Sequence, residues 1–352
     1  MMKLWDSGPQ WPWRCNDDIR KYLDVPDYWL VGYEEVGGYL RALQKGQVGC
    51  IGQSAGGRPI RVVYYGPKSP ERKMCITGAT HATETEGVAS VVNVISALET
   101  GHDLRGRKWP ALRRVAQNVG FYLVPFYNPD AAARSLVKSY VGMPFDAVRR
   151  LHNGLWRNRQ VVETMRTFGP WSKASDLTGK LDRIVYLGAR FNDAGRLVCR
   201  PCSQRRTMSV ETRQMFQFLR DNRVDCYMDM HSASCPPEQS ISPWLGICHP
   251  HQTAGDHGLL VELQKLTCQM TRQAGGPEVE TGYKSARKWT NTALFSANLG
   301  IYGFTYEEHA GWAGMFPPDW TPDDIWLANT YNGMHTILGL ARALLQMPSP
   351  RQ

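Results

Sequence analysis

Lys73-Met74-Cys75-Ile76-Thr77-Gly78-Ala79-Thr80-His81-Ala82-Thr83-Glu84 is the stretch on which the reading of this chain turns. Its first half is a short apolar run that stops at a glycine, the pattern of a strand buried on both faces. Beyond it, Val88, Val91, Val92 and Ile95 recur at helical spacing and predict a helix over residues 84 to 98. His81 and Glu84 therefore sit in a strand-to-helix connection, three apart, where an imidazole and a carboxylate can ligate one metal ion. Such a pair alone is weak evidence, because the same spacing more often marks a surface or packing pair.

Two further segments raise its value. Met228-Asp229-Met230-His231-Ser232-Ala233 ends a predicted strand, and Phe304-Thr305-Tyr306-Glu307 ends another. Around them the pattern gives a hairpin over 48 to 65 turning at Ala55-Gly56-Gly57, strands over 121 to 125, 224 to 230 and 301 to 306, and helices over 211 to 220, 258 to 274 and 323 to 345. Strands alternating with helices predict an α/β fold: a single-domain three-layer α/β/α sandwich with a mixed, mostly parallel central sheet. In such sheets ligands gather at the carboxyl ends of strands. His81, His231 and Glu307 are all expected to follow strand ends.

Together the segments supply two imidazoles, one ligand carboxylate and one spare carboxylate. A catalytic zinc is satisfied by three protein ligands and keeps its fourth position for water, so two His and one Glu suffice. Amide hydrolysis also needs a base that takes a proton from water and returns it to the leaving nitrogen. Glu307 is the candidate for that role.

With these residues in place the chain resembles the zinc carboxypeptidase family, carboxypeptidase A type, as a divergent member over about residues 27 to 345. The resemblance is carried in order by Gly52-Gln53-Ser54-Ala55-Gly56-Gly57-Arg58-Pro59-Ile60, His81 to Glu84, Asn128-Pro129-Asp130, Leu155-Trp156-Arg157, Ser209-Val210-Glu211-Thr212-Arg213, His231-Ser232 and Phe304-Thr305-Tyr306-Glu307. It implies one zinc ion held by His81, Glu84 and His231, with Glu307 as general base. It also implies that Arg157 stabilises the oxyanion, as a fixed guanidinium beside the metal can do without reorganisation. Asn192, Asp193, Arg190, Tyr283 and Ser232 are the substrate-facing candidates.

One departure stands out. The family follows with an Asn-Arg pair whose arginine holds the substrate's terminal carboxylate, whereas this chain reads Gly188-Ala189-Arg190-Phe191-Asn192-Asp193. Asp193 occupies the arginine's place, and Arg190 stands where an aspartate supports the first histidine. Either Arg190, Arg196 or Arg200 supplies the cation from a shifted geometry, or the leaving residue is not a standard free C-terminus. An acidic pocket would suit a cationic leaving residue. The basic and aromatic stretch from about 140 to 181 reads as an insertion over the site or as a solvated excursion, with equal weight.

Composition bounds the rest. The 352 residues are 42% apolar with 12 tryptophans, enough for a large core, and no linker divides them. Residues 1 to 26 read as an N-terminal extension packed on a catalytic domain spanning 27 to 346, with a short tail after it. Asp6, Gln10, Arg14, Asp17 and Asp18 interrupt any leader-like apolar core, and no run approaches a bilayer span. Nine scattered cysteines suit free thiols in a reducing, cytoplasmic setting; Cys199-Arg200-Pro201-Cys202 lacks a second pair and reads as unpaired loop cysteines. The formal charge of +9 is spread along the chain, so neither nucleic acid nor membrane is expected as a partner. His249, His251, His257 and His309 read as polar loop residues, with His309 near enough to Glu307 to tune it.

The expected activity is metal-assisted cleavage of a C-terminal amide in a peptide or peptide-like conjugate. Two alternatives stand beside it: an amidase or deacylase acting on an N-acylated small molecule, and a non-catalytic binding protein on the same fold. Oligomeric state is not legible.

Overall fold

Alternate residues of the central strands divide into two apolar sets, and each set has its own layer of helices. The computed structural model describes residues 24–54, 56–81, 84–133, 135, 138–144, 187–191, 197–201, 210–233, 242–247, 257–283, 291–312 and 315–350. In chain order the elements are α1 (Tyr33–Arg41), β1 (Gln47–Gln53), β2 (Pro59–Tyr65), β3 (Arg72–Thr77), α2 (Glu86–Thr100), α3 (Pro110–Val115), β4 (Val119–Val124), α4 (Pro129–Ala132), β5 (Leu187–Phe191), β6 (Leu197–Pro201), α5 (Val210–Asp221), β7 (Cys226–Ala233), β8 (Trp244–Ile247), α6 (His257–Gln273), β9 (Glu280–Tyr283), α7 (Asn291–Leu299), β10 (Tyr302–His309) and α8 (Pro322–Leu344).

Among the described residues eight strands form one sheet in the order β1-β2-β4-β3-β7-β10-β8-β9, and β5 and β6 form a separate antiparallel pair. The centre, β4-β3-β7-β10, is parallel throughout. β1-β2, β2-β4 and β10-β8 are antiparallel, and β8-β9 is parallel. The fold is the expected α/β sandwich around a mixed, mostly parallel sheet.

On one face Met74, Ile76, Met228, Met230, Phe304 and Tyr306 pack with Val88, Val92 and Ile95 of α2, Leu263 of α6 and Ile337 of α8. On the other, Cys75, Val124 and Tyr227 pack with Met215, Phe216 and Leu219 of α5 and Phe295 of α7. Each large side chain removed from water contributes ~1.5–3 kcal/mol, so both layers clamp the central strands. Because strand side chains alternate, Asp229 and His231 share Tyr227's face. Thr305 shares it too, bonded to Thr292 of α7 at 2.8 Å, and so does Glu307. Glu308 and Ser232 fall on the α2 and α8 face.

Three boundaries at the site differ from the sequence expectation. α2 begins at Glu86, with Thr85 as its N-cap, so Glu84 precedes the helix. β7 and β10 run on to Ala233 and His309, because their parallel pairing continues through Glu307 with His231 to His309 with Ala233. His231 and Glu307 thus lie inside the last residues of their strands rather than after them, and His309 belongs to a strand, not a loop. α1, α3, α4, α7, β8, β9 and the β5-β6 pair are not foreseen. β8 and β9 have four residues each, and α1 contains Gly37 and Gly38 in an otherwise amphipathic run.

Residues 1–23 and 145–186 lie outside the described residues, which leaves the N-terminal extension and most of the insertion reading there. The residues just before that stretch are tied down. Lys138 O accepts from Trp29 Nε1 at 2.8 Å and from Thr85 Oγ1 at 2.9 Å, and Trp326 Nε1 reaches Ser139 Oγ at 2.8 Å. Among the described residues no helix is long and apolar enough to cross a membrane.

Two glycines let α2 meet the sheet beneath His231. A Cβ at Gly87 would lie 2.8 Å from Met230 Cβ and 3.0 Å from Met230 O, and one at Gly78 would lie 3.0 Å from the Gly87 carbonyl carbon. Gly87→Ala is therefore expected to overpack this contact and lower unfolding free energy by ~1–3 kcal/mol, measured by denaturant titration. An unchanged midpoint would show that α2 does not depend on this approach.

Candidate metal centre

The site is assembled where β3 hands the chain to α2. Gly78 N donates to Val124 O, and Tyr127 N and Asn128 N donate back to the carbonyls of Gly78 and Ala79. Pinned by these bonds, Ala79 takes a φ of 51°, a left-handed conformation that costs a residue with a Cβ ~1–2 kcal/mol. The chain turns sharply there. Thr80 becomes buried, its hydroxyl donating to Asp229 Oδ1 at 2.7 Å, and His81 is delivered toward the end of β7. A turn with Glu84 N on His81 O at 3.1 Å then brings the carboxylate to the same point.

Three side chains converge. Glu84 Oε1 lies 2.8 Å from His81 Nδ1, Glu84 Oε2 lies 2.9 Å from His231 Nδ1, and the two Nδ1 atoms are 3.3 Å apart. One donor atom from each residue lies within 4.8 Å of the others. His231 and Glu84 are buried, and His81 keeps an exposed edge. Ser232 N also points at Glu84 Oε2, at 3.3 Å.

This donor set fits zinc. Two nitrogens at zinc's bond length of ~2.0–2.1 Å on adjacent tetrahedral corners are separated by about 3.3 Å, the spacing seen here. Two imidazole nitrogens facing each other cannot both serve as acceptors without a cation between them. Two imidazoles and a carboxylate would supply three ligands and leave a fourth position open, the ligand count of catalytic zinc sites.

The electrostatics match. Burial alone would raise the Glu84 carboxyl, but the charges of His81 and His231 outweigh it and hold it well below the usual carboxylate range. Burial would depress His231; the carboxylates of Asp229 and Glu84 overcome it and push the imidazole up to about 9.

Glu307 lies directly beside His231 in the parallel register of β10 and β7, half-buried and on the same sheet face. Its neighbour Glu308 sits in different surroundings. Burial raises Glu308 to about 8; Tyr306 Oη donates to its carboxyl at 2.5 Å, and its proximity to Glu86 raises it further. Glu86, buried at the start of α2, is itself pushed up to about 7. Strand alternation alone separates the two adjacent glutamates, one on the face of His231 and one facing the core.

The remaining site candidates are placed unevenly. Ser232 is buried, and its hydroxyl turns to the α2 side with Glu86. His309 Nε2–H donates to Ser242 O at 2.8 Å, and burial lowers its basicity. Arg190 lies in β5 opposite Val198 of β6, apart from the main sheet in pairing. Tyr283 ends β9 beside Ile247 of β8, which in turn pairs with Phe304 of β10. Arg157, Asn192, Asp193 and Arg196 lie outside the described residues.

One residue is not foreseen from the sequence. Asp229 Oδ2 approaches His231 Nε2 at 3.0 Å, and Asp229 is fully buried. An Asp two positions before a candidate ligand histidine in a strand shares its face, and that spacing is the signal that could have found it.

The sequence profile described as zinc carboxypeptidase matches residues 43–322. No curated protein sequence is similar enough to count as a relative. Among solved structures, thrombin activatable fibrinolysis inhibitor superposes with a TM-score of 0.59 at 16% identity, over 95% of this chain and 83% of that one. A metallo-carboxypeptidase from Burkholderia cenocepacia gives 0.53 at 15% identity over 87% of this chain, which spans 66% of that protein. A Pseudomonas aeruginosa metallo-carboxypeptidase, solved with (2-guanidinoethylmercapto)succinic acid, gives 0.52 at 16% identity over 89% and 68% of the two chains. At these identities the structural likeness speaks to fold.

A proton and a metal compete for His231. In chelator-stripped protein, the proton's contribution to stability is full below the ordinary imidazole value of 6.5 and is lost as pH rises through about 9. Zinc affinity, followed by chelator competition, should rise with pH across that window by roughly tenfold per unit and flatten above it. A pH-independent affinity between 7 and 9 would contradict the assignment of His231 Nδ1 as a ligand.

Proposed function

Because this chain belongs to the zinc carboxypeptidase family, we propose that it is a zinc-dependent hydrolase that cleaves a C-terminal amide bond in a peptide or peptide-like conjugate. The observation that carries the proposal is the convergence of His81, Glu84 and His231 with Glu307 in register beside His231.

The chemistry that a bound zinc supplies is Lewis acidity, which polarises a carbonyl and acidifies water. His81, Glu84 and His231 hold the ion. Glu307 takes the proton from the attacking water and returns it to the departing nitrogen, a general acid–base contribution worth ~10²–10⁴ in rate. Arg157 offsets the charge that develops on the former carbonyl oxygen. Arg190, Asn192, Asp193, Tyr283 and Ser232 are the proposed substrate-facing set. Ser232 would act through its backbone, given its buried hydroxyl.

One observation favours a second reading. Asp193 stands where the resemblance calls for a carboxylate-binding arginine, and a carboxylate there would repel a free C-terminus. A cationic leaving residue, or an N-acylated small molecule cleaved by the same machinery, would satisfy it. The free thiols of Cys75 and Cys226 support a reducing, cytoplasmic setting.

Mass-spectrometric product analysis of the zinc-loaded protein, on a mixture of peptides, acyl-amino acids and cell-wall peptides, separates these readings. Chelator-sensitive loss of single C-terminal residues is expected, and Glu307→Gln should keep metal and fold while cutting turnover by ~10²–10⁴. Near-normal turnover in that variant would remove Glu307 from the mechanism, and loss of acyl groups alone would select the amidase reading.

A further inference from the structure

His231 is the one ligand delivered from the middle of the sheet, and its ring is held at both ends. Nδ1 faces Glu84 and His81. Nε2 faces Asp229 Oδ2 at 3.0 Å. The contact is a close ion pair rather than an aligned hydrogen bond, and among the described residues no acceptor takes the Nε2–H in line. Asp229 is in turn fixed by two hydroxyls on its other oxygen, Thr77 Oγ1 at 2.9 Å and Thr80 Oγ1 at 2.7 Å. Thr77 Oγ1 also meets Tyr227 Oη at 2.9 Å. All four residues of this chain of contacts, Asp229, Thr77, Thr80 and Tyr227, are at most 2% exposed.

We propose that Asp229 is a positioning residue for the metal centre: it holds the His231 proton on Nε2 and so presents the Nδ1 lone pair to the ion, with Thr77 and Thr80 setting its carboxylate. The inference rests on the metal-centre reading above.

The chemistry is direct. A carboxylate only accepts, so the nitrogen facing Asp229 must carry the hydrogen, and neutral imidazole then has its lone pair on the other nitrogen. An acceptor behind a ligating histidine fixes the tautomer and ring orientation and raises the donor strength of the metal-facing nitrogen. Here the acceptor is built into the same strand two residues earlier, and Thr77 and Thr80 tie it to β3 and the turn that carries His81. Both histidine ligands are therefore indexed to one buried carboxylate: His231 through its ring, and His81 through its neighbour Thr80. The hydroxyls spend their protons on Oδ1, which leaves Oδ2 for the imidazole.

The test uses the full chain, with zinc affinity read by chelator competition and His231 read by histidine-selective ¹⁵N NMR. Asp229→Asn keeps the size of the side chain and removes its charge. It should bind zinc ~10–100-fold more weakly and shift or lose the His231 Nε2–H signal, while its thermal transition stays cooperative. Thr80→Val, which leaves the carboxylate and loosens it, should weaken zinc in the same direction by less and serves as the second variant if the first does not fold. Unchanged zinc affinity with an unmoved Nε2–H signal in a folded variant would overturn the role of Asp229 while leaving the metal centre standing. Failure of the wild-type protein to bind zinc would remove the premise together with the inference.

Discussion

A buried carboxylate between two imidazoles is tolerated only when positive charge is shared among the three. Glu84 is in that position, its two oxygens 2.8 and 2.9 Å from the Nδ1 atoms of His81 and His231. Burial works against the ionised form, and the two imidazoles reverse that balance. The rest of the centre serves this meeting. Gly78 and Gly87 let α2 come close to β7, the left-handed turn at Ala79 directs the ligand loop across the strand ends, and the parallel ladder of β7 and β10 sets Glu307 level with His231.

The sheet's two-residue period then sorts the chemistry. One face carries Thr77, Tyr227, Asp229 and His231, and Glu307 belongs to it by register. The other carries Met228, Met230, Phe304 and Tyr306 into the main core. Glu86 and Glu308 fall on that core side, where burial raises both carboxyls. Adjacent glutamates on one strand thus fall in different surroundings, Glu307 level with His231 and Glu308 in the interior, where burial raises its carboxyl to about 8.

Much of this is legible in the sequence, for physical reasons that also mark where legibility ends. The apolar runs that become β3, β4, β7 and β10, and the helical spacing of α2, α6 and α8, are long enough for periodicity to identify them. β8 and β9 have four residues each and give no such signal; β8 pairs with the edge of β10, and β9 in turn with β8. The ends of β7 and β10 lie beyond where the apolar pattern stops, because Asp229, His231, Glu307 and His309 break that pattern, whereas backbone pairing is indifferent to side-chain polarity. Of the centre, His81, Glu84, His231 and Glu307 are visible as residue types at telling positions. Asp229 is equally visible in type, but its partnership with His231 depends on both being buried on one face with Thr77 and Thr80 opposite. The two-residue spacing places both on one face, but neither their burial nor the two hydroxyls that meet Asp229 can be read from that strand alone.

The central claim is that one zinc ion sits among His81, Glu84 and His231, with Glu307 beside it. Anomalous diffraction from zinc-loaded crystals, collected on both sides of the zinc absorption edge, tests it most directly. The account predicts one strong peak within bonding distance of His81 Nδ1, His231 Nδ1 and a Glu84 oxygen, at ~2.0–2.2 Å from each. A peak at other residues, or density in which Glu84 bonds the two imidazoles and zinc binds elsewhere, would contradict it.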